Sequence, residues 1–421
     1  MWIPPAYSPI PLSGIWKGLR ARPSAIGGLE ERLKEWYAAE RALATSSGTH
    51  ALQLAIRGAL EHGGSQGPVA LPAFNCFDLA TAAVWVGAPV VFYDIHPMTL
   101  APEPESLTRT AGQAGALVVA NLFGYPLDWD LIRNVTAAHS IPVVEDAAQG
   151  LGAEWKGQPA GTFGDLSILS FGRGKGWTGG SGGAVLARNG FGASLPRTLP
   201  GNPGSRMAEA VKTTGVWLLA RPSLYGIPAR LPGLGLGETH YKPPTNPQGI
   251  TPFAAAMVLA GREPSLEEVG VRRQNAERIR AEISGGSGDG QPAGEAVSMA
   301  CPEPLSGGRC GYLRLPGLPR EGKEGAGELA EVSKGPGEGT QAPEEGAKVS
   351  REGAKATREG AKALEDRKRG IYRSYPRALQ GLGVMEPLMQ DPQASPGAIR
   401  LARDLLTWPT HSRSGGGNAR A

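Results

Sequence analysis

The period of the apolar positions changes from stretch to stretch, and those changes outline the elements of the chain. Behind a proline-rich arm, Leu29, Leu33, Trp36 and Tyr37 recur at helical spacing and predict a helix over 28–43. A second helix is expected over 50–61, where Leu52, Leu54, Ala55, Ile56 and Ala59 form a wide apolar face and Gly63-Gly64 supplies the stop. Short β-rich runs at 69–71, 89–95, 116–123 and 141–145 then alternate with helical stretches, notably 79–86 and 128–139. Two more runs, 165–171 and 183–188, flank a glycine-rich loop. Strands alternating with helices predict a mostly parallel sheet covered by helices.

Past residue 190 the pattern loosens. Residues 190–250 are rich in Gly and Pro and yield no clear element, while helices are expected over 251–259 and 266–283 and a strand over 311–315. Glu345-Gly346-Ala347-Lys348 recurs at 352–355 and 359–362, a seven-residue repeat. A coiled coil needs apolar a and d positions, which this repeat lacks, and a glycine per repeat weakens any helix. Residues 321–366 therefore read as a flexible, solvated insertion.

Composition narrows the partners. The 421 residues are 40% hydrophobic and carry a net charge of only +4, with no basic stripe interleaved with aromatics, so no nucleic-acid partner is expected. Three scattered cysteines, Cys76, Cys301 and Cys310, do not make a disulfide framework or a zinc site. The first sixteen residues lack a basic segment before an apolar core, and the longest apolar stretch, 80–93, is too short to span a bilayer. The expectation is a soluble cytoplasmic protein without a membrane partner. No H-E-x-x-H or paired C-x-x-C is present, so no metal is expected, and neither a P-loop nor a G-x-G-x-x-G dinucleotide fingerprint is found.

Candidate chemistry sits at strand ends and helix starts, where open α/β sheets bind ligands. Ser47-Gly48-Thr49 opens the long helix, and free N–H groups there suit a phosphate, although Ser and Thr are also ordinary caps. Glu145-Asp146-Ala147-Ala148-Gln149 ends a strand. An acidic group there needs a cationic partner, either a protein salt bridge or a protonated ring nitrogen. Ser170-Phe171-Gly172-Arg173-Gly174-Lys175-Gly176 puts a lysine in a glycine-bordered loop, where desolvation or a nearby cation would lower its pKa and make it nucleophilic; an exposed loop lysine is the alternative. Phe74 and Phe77 follow another strand and either stack on a planar ligand or pack in the core. Asp128 and Asp130 open a helix and complement its dipole.

In this order and spacing, SSGTHALQLAI (46–56), LPAFNCFDLATAAVWVGAPVVFYDI (71–95), IPVVEDAAQGLGAEWKGQPAGTFGDLSILSFGRGKG (141–176) and GGSGGAVLA (179–187) resemble the DegT/DnrJ/EryC1/StrS aminotransferases, a branch of the fold-type I enzymes that use pyridoxal 5′-phosphate (PLP). The resemblance implies a PLP-dependent transferase fold of type I, α/β, with a mostly parallel central sheet. It divides the chain into a large PLP-binding domain with its N-terminal arm over 1–250 and a smaller α+β domain over 251–421, interrupted by the insertion. It implies that Lys175 forms a Schiff base with PLP, that Asp146 partners the pyridine nitrogen, that Gln149 contacts the ring hydroxyl, and that Gly48, Thr49 and Ser170 bind the phosphate. Phe74 and Phe77 are the candidates for stacking, because the aromatic position of the family holds Cys76 here. The implied activity is transfer of an amino group from an amino acid, glutamate by resemblance, to a nucleotide-linked keto-sugar by a homodimer. A catalytically impaired PLP-binding relative and a PLP-dependent sugar dehydratase are the alternatives. Relatives of the dehydratase kind carry histidine where this chain has Lys175. Gly180-Ser181-Gly182-Gly183 replaces the family's Gly-Glu-Gly-Gly, and its asparagine-arginine motif is not matched near 237–242.

Overall fold

The computed structural model describes residues 2–64, 67–202, 204–230, 239–284, 299–320, 366 and 368–414. Helices α1 (Leu12–Leu19) and α2 (Ser24–Tyr37) lead into strand β1 (Arg41–Thr45). The helix expected over 28–43 ends early because Ala38 turns left-handed (φ 48°). Arg41–Thr45 instead pair with a strand that arrives some 140 residues later, Arg41 opposite Ala187, a partner that no local pattern announces.

The alternation then proceeds largely as the periodicity indicates. Helix α3 (Gly48–Gly63) is stopped by Gly64 at φ 63°. It is followed by β2 (Val69–Pro72), α4 (Phe77–Val86), β3 (Val90–Tyr93), α5 (Pro104–Ala111), β4 (Ala116–Ala120), α6 (Trp129–His139) and β5 (Val143–Asp146). Helix α5 was not read from the pattern. Glu103 caps it by accepting from Ser106 N at 2.6 Å, and Pro104 takes the first turn, where no N–H is needed. Asp128 serves α6 as a true cap, accepting from the Asp130 and Leu131 N–H groups at 3.0 Å. A small hairpin, β6 (Glu154–Trp155) and β7 (Gln158–Pro159), precedes β8 (Leu166–Ser170) and β9 (Gly183–Ala187).

The main sheet has the order β1-β9-β8-β5-β4-β2-β3. Only β9 runs against its neighbours, so the carboxyl ends of the other six strands meet at one edge. Helices cover both faces, so a strand such as Ala116–Ala120 is buried at every position. One face packs against α3 and α4, with Leu52, Leu54, Ile56 and Leu79 in the larger core. The other packs against α2 and the start of α9 (Pro252–Ser284) through Leu29, Leu33, Ala254 and Val258.

Two helices, α7 (Arg206–Leu219) and α8 (Gly226–Ala229), occupy the stretch where the pattern gave nothing. The two helices expected over 251–283 are one, α9, which continues through Pro264. An interior proline forfeits a hydrogen bond and costs about 3 kcal/mol. Packing at both ends offsets this: Phe253 and Met257 lie under α1 and α7, while Ala276 and Ile279 pack with Leu315 and Trp408 of a second sheet. That sheet joins β10 (Met299–Ala300), β12 (Arg314–Pro319) and β13 (Leu406–Pro409), with β13 preceded by α10 (Pro396–Asp404). The strand expected over 311–315 is thus shifted to Arg314–Pro319. The two-residue strand β11 (Gly308–Arg309) pairs instead with β6. Tyr375, Leu379, Met385 and Leu401 return to the larger core. The insertion expected over 321–366 lies outside the described residues except for Asp366.

Candidate active site

Strand β1 delivers the chain to α3 at the carboxyl edge of the sheet. Ser47 caps the helix, its Oγ accepting from His50 N at 3.1 Å. The first N–H groups of α3 have no intrahelical acceptor and, with the helix dipole, favour an anion. Gly48 is wedged against the end of β8: a Cβ there would lie 2.7 Å from Ser170 Cβ and 2.8 Å from its Oγ. Only glycine lets the helix start approach Ser170 so closely. Gly48, Thr49 and Ser170 therefore line one end of the same cavity, about 1110 Å³ in volume.

Adjacent residues at the end of β5 face opposite ways. Glu145 points into the protein and is fully buried. It accepts from the N–H groups of Gly161, Phe163 and Gly164 and from Ser167 Oγ, between 2.6 and 3.2 Å, and so ties the loop before β8 to β5. Asp146 points into the cavity, with one carboxylate oxygen held by Ala148 N at 3.0 Å. Burial raises its pKa, and the Lys175 charge opposes that rise.

Beyond β8 the backbone turns through left-handed glycines, Gly174 (φ 77°) and Gly176 (φ 87°), and this brings Lys175 to the cavity. Its pKa is raised, contrary to the sequence expectation. Burial pulls it down, but the field of Cys76, Asp78 and Asp146 outweighs that. Burial pushes the Cys76 thiol up to about 12, so near neutral pH the carboxylates carry the effect. The expected lowering rested on desolvation or a nearby cation, whereas the charges that face Lys175 are carboxylates, Asp78 among them coming from another strand end.

Lys175, Asp146, Gln149, Gly48, Thr49 and Ser170 all border this one cavity, as does the exposed Arg173. Gln149 is anchored from behind, its Oε1 accepting from Phe123 N at 3.1 Å and its Nε2 donating to Tyr375 Oη at 2.8 Å. Phe74 and Phe77 are not brought there. Both are buried in the larger core, with ring centroids 5.6 and 6.4 Å from that of Tyr375, and the strand end turns Cys76 and Asp78 to the cavity in their place. Stacking on a ligand by either phenylalanine is therefore corrected to core packing.

Several lining groups were missed. Asp78 opens α4 just past the end of β2, and the strand-end rule that found Asp146 applies to it equally. His50 had no such signal. Its Nδ1 accepts from Gln248 N at 3.3 Å and faces Ser46 Oγ at 2.7 Å, which leaves Nε2–H for Thr245 Oγ1 at 2.9 Å. Burial lowers its pKa and favours this neutral form. Gln53, one turn into α3, also lines the cavity; it is fully buried, and neither side-chain amide atom has a partner among the described residues. The opposite wall comes from Pro4, Pro5 and Ala6 of the N-terminal arm, from Val216 and Leu219 of α7, and from Lys242 and Thr245.

The family model of the DegT/DnrJ/EryC1/StrS aminotransferases matches residues 23–215, the stretch that supplies Gly48, Asp146, Ser170 and Lys175. Residues 23–215 are thus similar to this family. Among curated relatives, a UDP-N-acetyl-3-dehydro-alpha-D-glucosamine 3-aminotransferase of Acidithiobacillus ferrooxidans is 37% identical over 167 residues, 38% of this chain and 43% of the relative. An L-glutamine:2-deoxy-scyllo-inosose aminotransferase of Streptomyces kanamyceticus is 32% identical over 176 residues, 42% of this chain and 40% of the relative. The match thus spans about two fifths of the length of these DegT/DnrJ/EryC1/StrS relatives. Whole-chain likeness is structural. The sugar aminotransferase CalS13 of Micromonospora echinospora superposes with a TM-score of 0.66 at 18% identity, over 97% of this chain and 95% of that one, which shows the fold. Among the described residues no helix is long and apolar enough to cross a membrane, and no group of three or more His, Cys, Asp or Glu side chains could hold a metal ion.

Proposed function

We propose that the cavity binds PLP and that the protein is an aminotransferase, moving an amino group from an amino acid, glutamate by resemblance, to a keto-sugar carried on a nucleotide. The observation that carries this reading is the convergence on one cavity of a helix start with no side chain at Gly48, a buried carboxylate at Asp146 and a lysine at Lys175. These residues fit the cofactor. Gly48 lets the start of α3 close on Ser170, so that the free N–H groups of α3 and the Thr49 and Ser170 hydroxyls would act together as donors to a phosphate. Asp146 suits a protonated ring nitrogen. The names of family relatives support the sugar as acceptor.

When bound, PLP supplies an electron sink for the carbanion that forms next to the transferred nitrogen. The chain does the rest. Asp146 keeps the ring nitrogen charged. Gln149, braced by Phe123 and Tyr375, would contact the ring hydroxyl. Lys175 would hold the cofactor covalently, and its amine, when free, would carry the proton taken from the donor's Cα. Asp146 helps to hold the Lys175 proton; paired with a cationic ring it would hold that proton less firmly. Lys242, Arg173 and the N-terminal arm face the volume left for the acceptor.

Cofactor-loaded protein treated with borohydride should yield a pyridoxyl adduct on the Lys175 peptide by mass mapping; an adduct elsewhere, or none, overturns the cofactor assignment. Loaded protein given glutamate should release 2-oxoglutarate. Retention of PLP with no oxo acid formed from any donor in a panel would leave a binding protein instead. Light scattering on the same sample checks the homodimer that forms part of this proposal.

A further inference from the structure

Six of the nine large apolar side chains exposed among the described residues fall on three helices, α1, α7 and α8. Leu12 and Trp16 of α1, Met207, Val211 and Leu218 of α7, and Ile227 of α8 are between 41 and 66% exposed. Helices α1 and α7 lie side by side over Phe253 and Met257 of α9, with Ile15 and Ala210 buried in that contact. Positions 207, 211 and 218 fall on one helical face, as do 12 and 16, so the outward sides form a common apolar strip. A contiguous exposed strip of this kind marks an interaction surface.

The strip has a charge signature. Residues 12–22 and 206–230 hold seven basic residues and one acidic residue, Glu209. All seven basic side chains are exposed. Glu209 is engaged by Thr251 Oγ1 at 2.9 Å. Arg20, Arg221 and Arg230 lie over the rings of Trp16, Trp217 and Trp2, at 3.7, 4.2 and 5.8 Å from the ring centroids. Apolar side chains flanked by Trp–Arg pairs and lysines suit the boundary between acyl chains and anionic headgroups. A second copy of the chain fits poorly, because a twofold contact would press this basic patch against itself.

We propose that the face formed by α1, α7 and α8 docks on an anionic lipid bilayer surface. Such docking is shallow and needs no spanning helix, so it differs from the expectation of no membrane partner only at the bilayer surface. The inner side of α7, at Val216 and Leu219, lines the active-site cavity, so docking sets the mouth of that cavity beside the headgroups.

Flotation of the full-length protein with vesicles tests this. The protein should float with phosphatidylcholine–phosphatidylglycerol vesicles, not with phosphatidylcholine alone, and should be released as salt rises. Trp16→Glu with Val211→Glu should cut the bound fraction at least about tenfold, since two charges then face the acyl boundary. Arg20→Glu with Arg221→Glu should abolish the preference for anionic lipid. Circular dichroism melting keeps the test readable: a pair that shifts the unfolding midpoint is replaced by Met207→Glu with Ile227→Glu. Wild-type protein that ignores both vesicles, or apolar variants that float as well as wild type, overturn the proposal. So does a wild-type dimer that Val211→Glu splits into monomers, which would put a second copy on this face.

Discussion

The two sides of the active-site cavity are built by different means. On the cofactor side, each polar group lies within about eight residues of the end of a strand in the main sheet: Gly48 and Thr49 after β1, Asp78 after β2, Asp146 and Gln149 at β5, Ser170 and Lys175 at β8. On the opposite side, Pro4 to Ala6, Val216 and Leu219, and Lys242 to Thr245 belong to no strand of that sheet. They are held by remote contacts instead. His411 Nε2 meets Pro4 O at 2.9 Å, Arg272 Nη2 donates to Tyr7 O at 3.0 Å, and Gly176 N donates to Ser8 Oγ at 3.1 Å. One side is thus fixed by topology and the other by latches. Chemistry should fail when the first is altered, and shape or acid stability when the second is.

The largest effect is expected on the topological side. On the proposed function, Lys175→Ala removes both the attachment point and the proton carrier, so kcat should fall at least about 10³-fold. The end proposed to hold the phosphate, at Gly48 and Ser170, is untouched, so equilibrium dialysis should still find bound PLP. Loss of binding together with turnover would mean that the two ends of this side are not independent.

The latch side should reveal itself in acid. His411 is buried, and burial together with the nearby Arg272, Arg314 and Arg413 lowers its pKa to about 3 despite its contact with Pro4. The folded state therefore favours neutral imidazole, while the unfolded chain takes up a proton below about pH 6.5. The stabilisation is complete above that pH and is lost as pH falls from about 6.5 towards 3. At pH 5 the loss is about 2 kcal/mol. Denaturant midpoints measured from pH 8 to 4 should fall more steeply in wild type than in His411→Gln. Parallel profiles would remove His411 as the latch.

The same contrast explains what could be read from the sequence. Six of the seven main-sheet strands follow from local pattern, and Gly48, Thr49, Asp146, Gln149, Ser170 and Lys175, named from the sequence, border one cavity, because a buried strand must be apolar throughout and must end where polar chemistry begins. Strand β1 was missed because its reason for existing is β9, far along the chain. Helix α7 escaped because its outward face is apolar where solvent is expected, at Met207 and Val211. His50 escaped because its partners, Thr245 and Gln248, lie almost 200 residues away.

A smaller effect separates the carboxylates that surround Lys175. Asp146 and Asp78 both raise its pKa, but only Asp146 is expected to be neutralised by a cationic ring. In Asp78→Asn, the pH at which borohydride traps half of the cofactor on Lys175 should move down, because one of the charges holding the ammonium is gone. An unchanged midpoint would mean that Asp146 alone sets the proton on the lysine.

The smallest effect probes how the cofactor side is braced. Tyr375 sits among Phe74, Phe77 and Phe123, nearly parallel to Phe123 (19° between the rings), and accepts a hydrogen bond from Gln149. Tyr375→Phe keeps the ring cluster and removes only that acceptor, so the stability cost should be about 1 kcal/mol. The freed Gln149 amide still lines the cavity, and PLP affinity should change little. Phe77→Leu should likewise lower the unfolding midpoint and leave the absorbance spectrum of the bound cofactor alone, because its ring supports Tyr375 and not the ligand. A spectral change in Phe77→Leu without one in Tyr375→Phe would reverse the assignment and bring the phenylalanine back to the face of the cofactor.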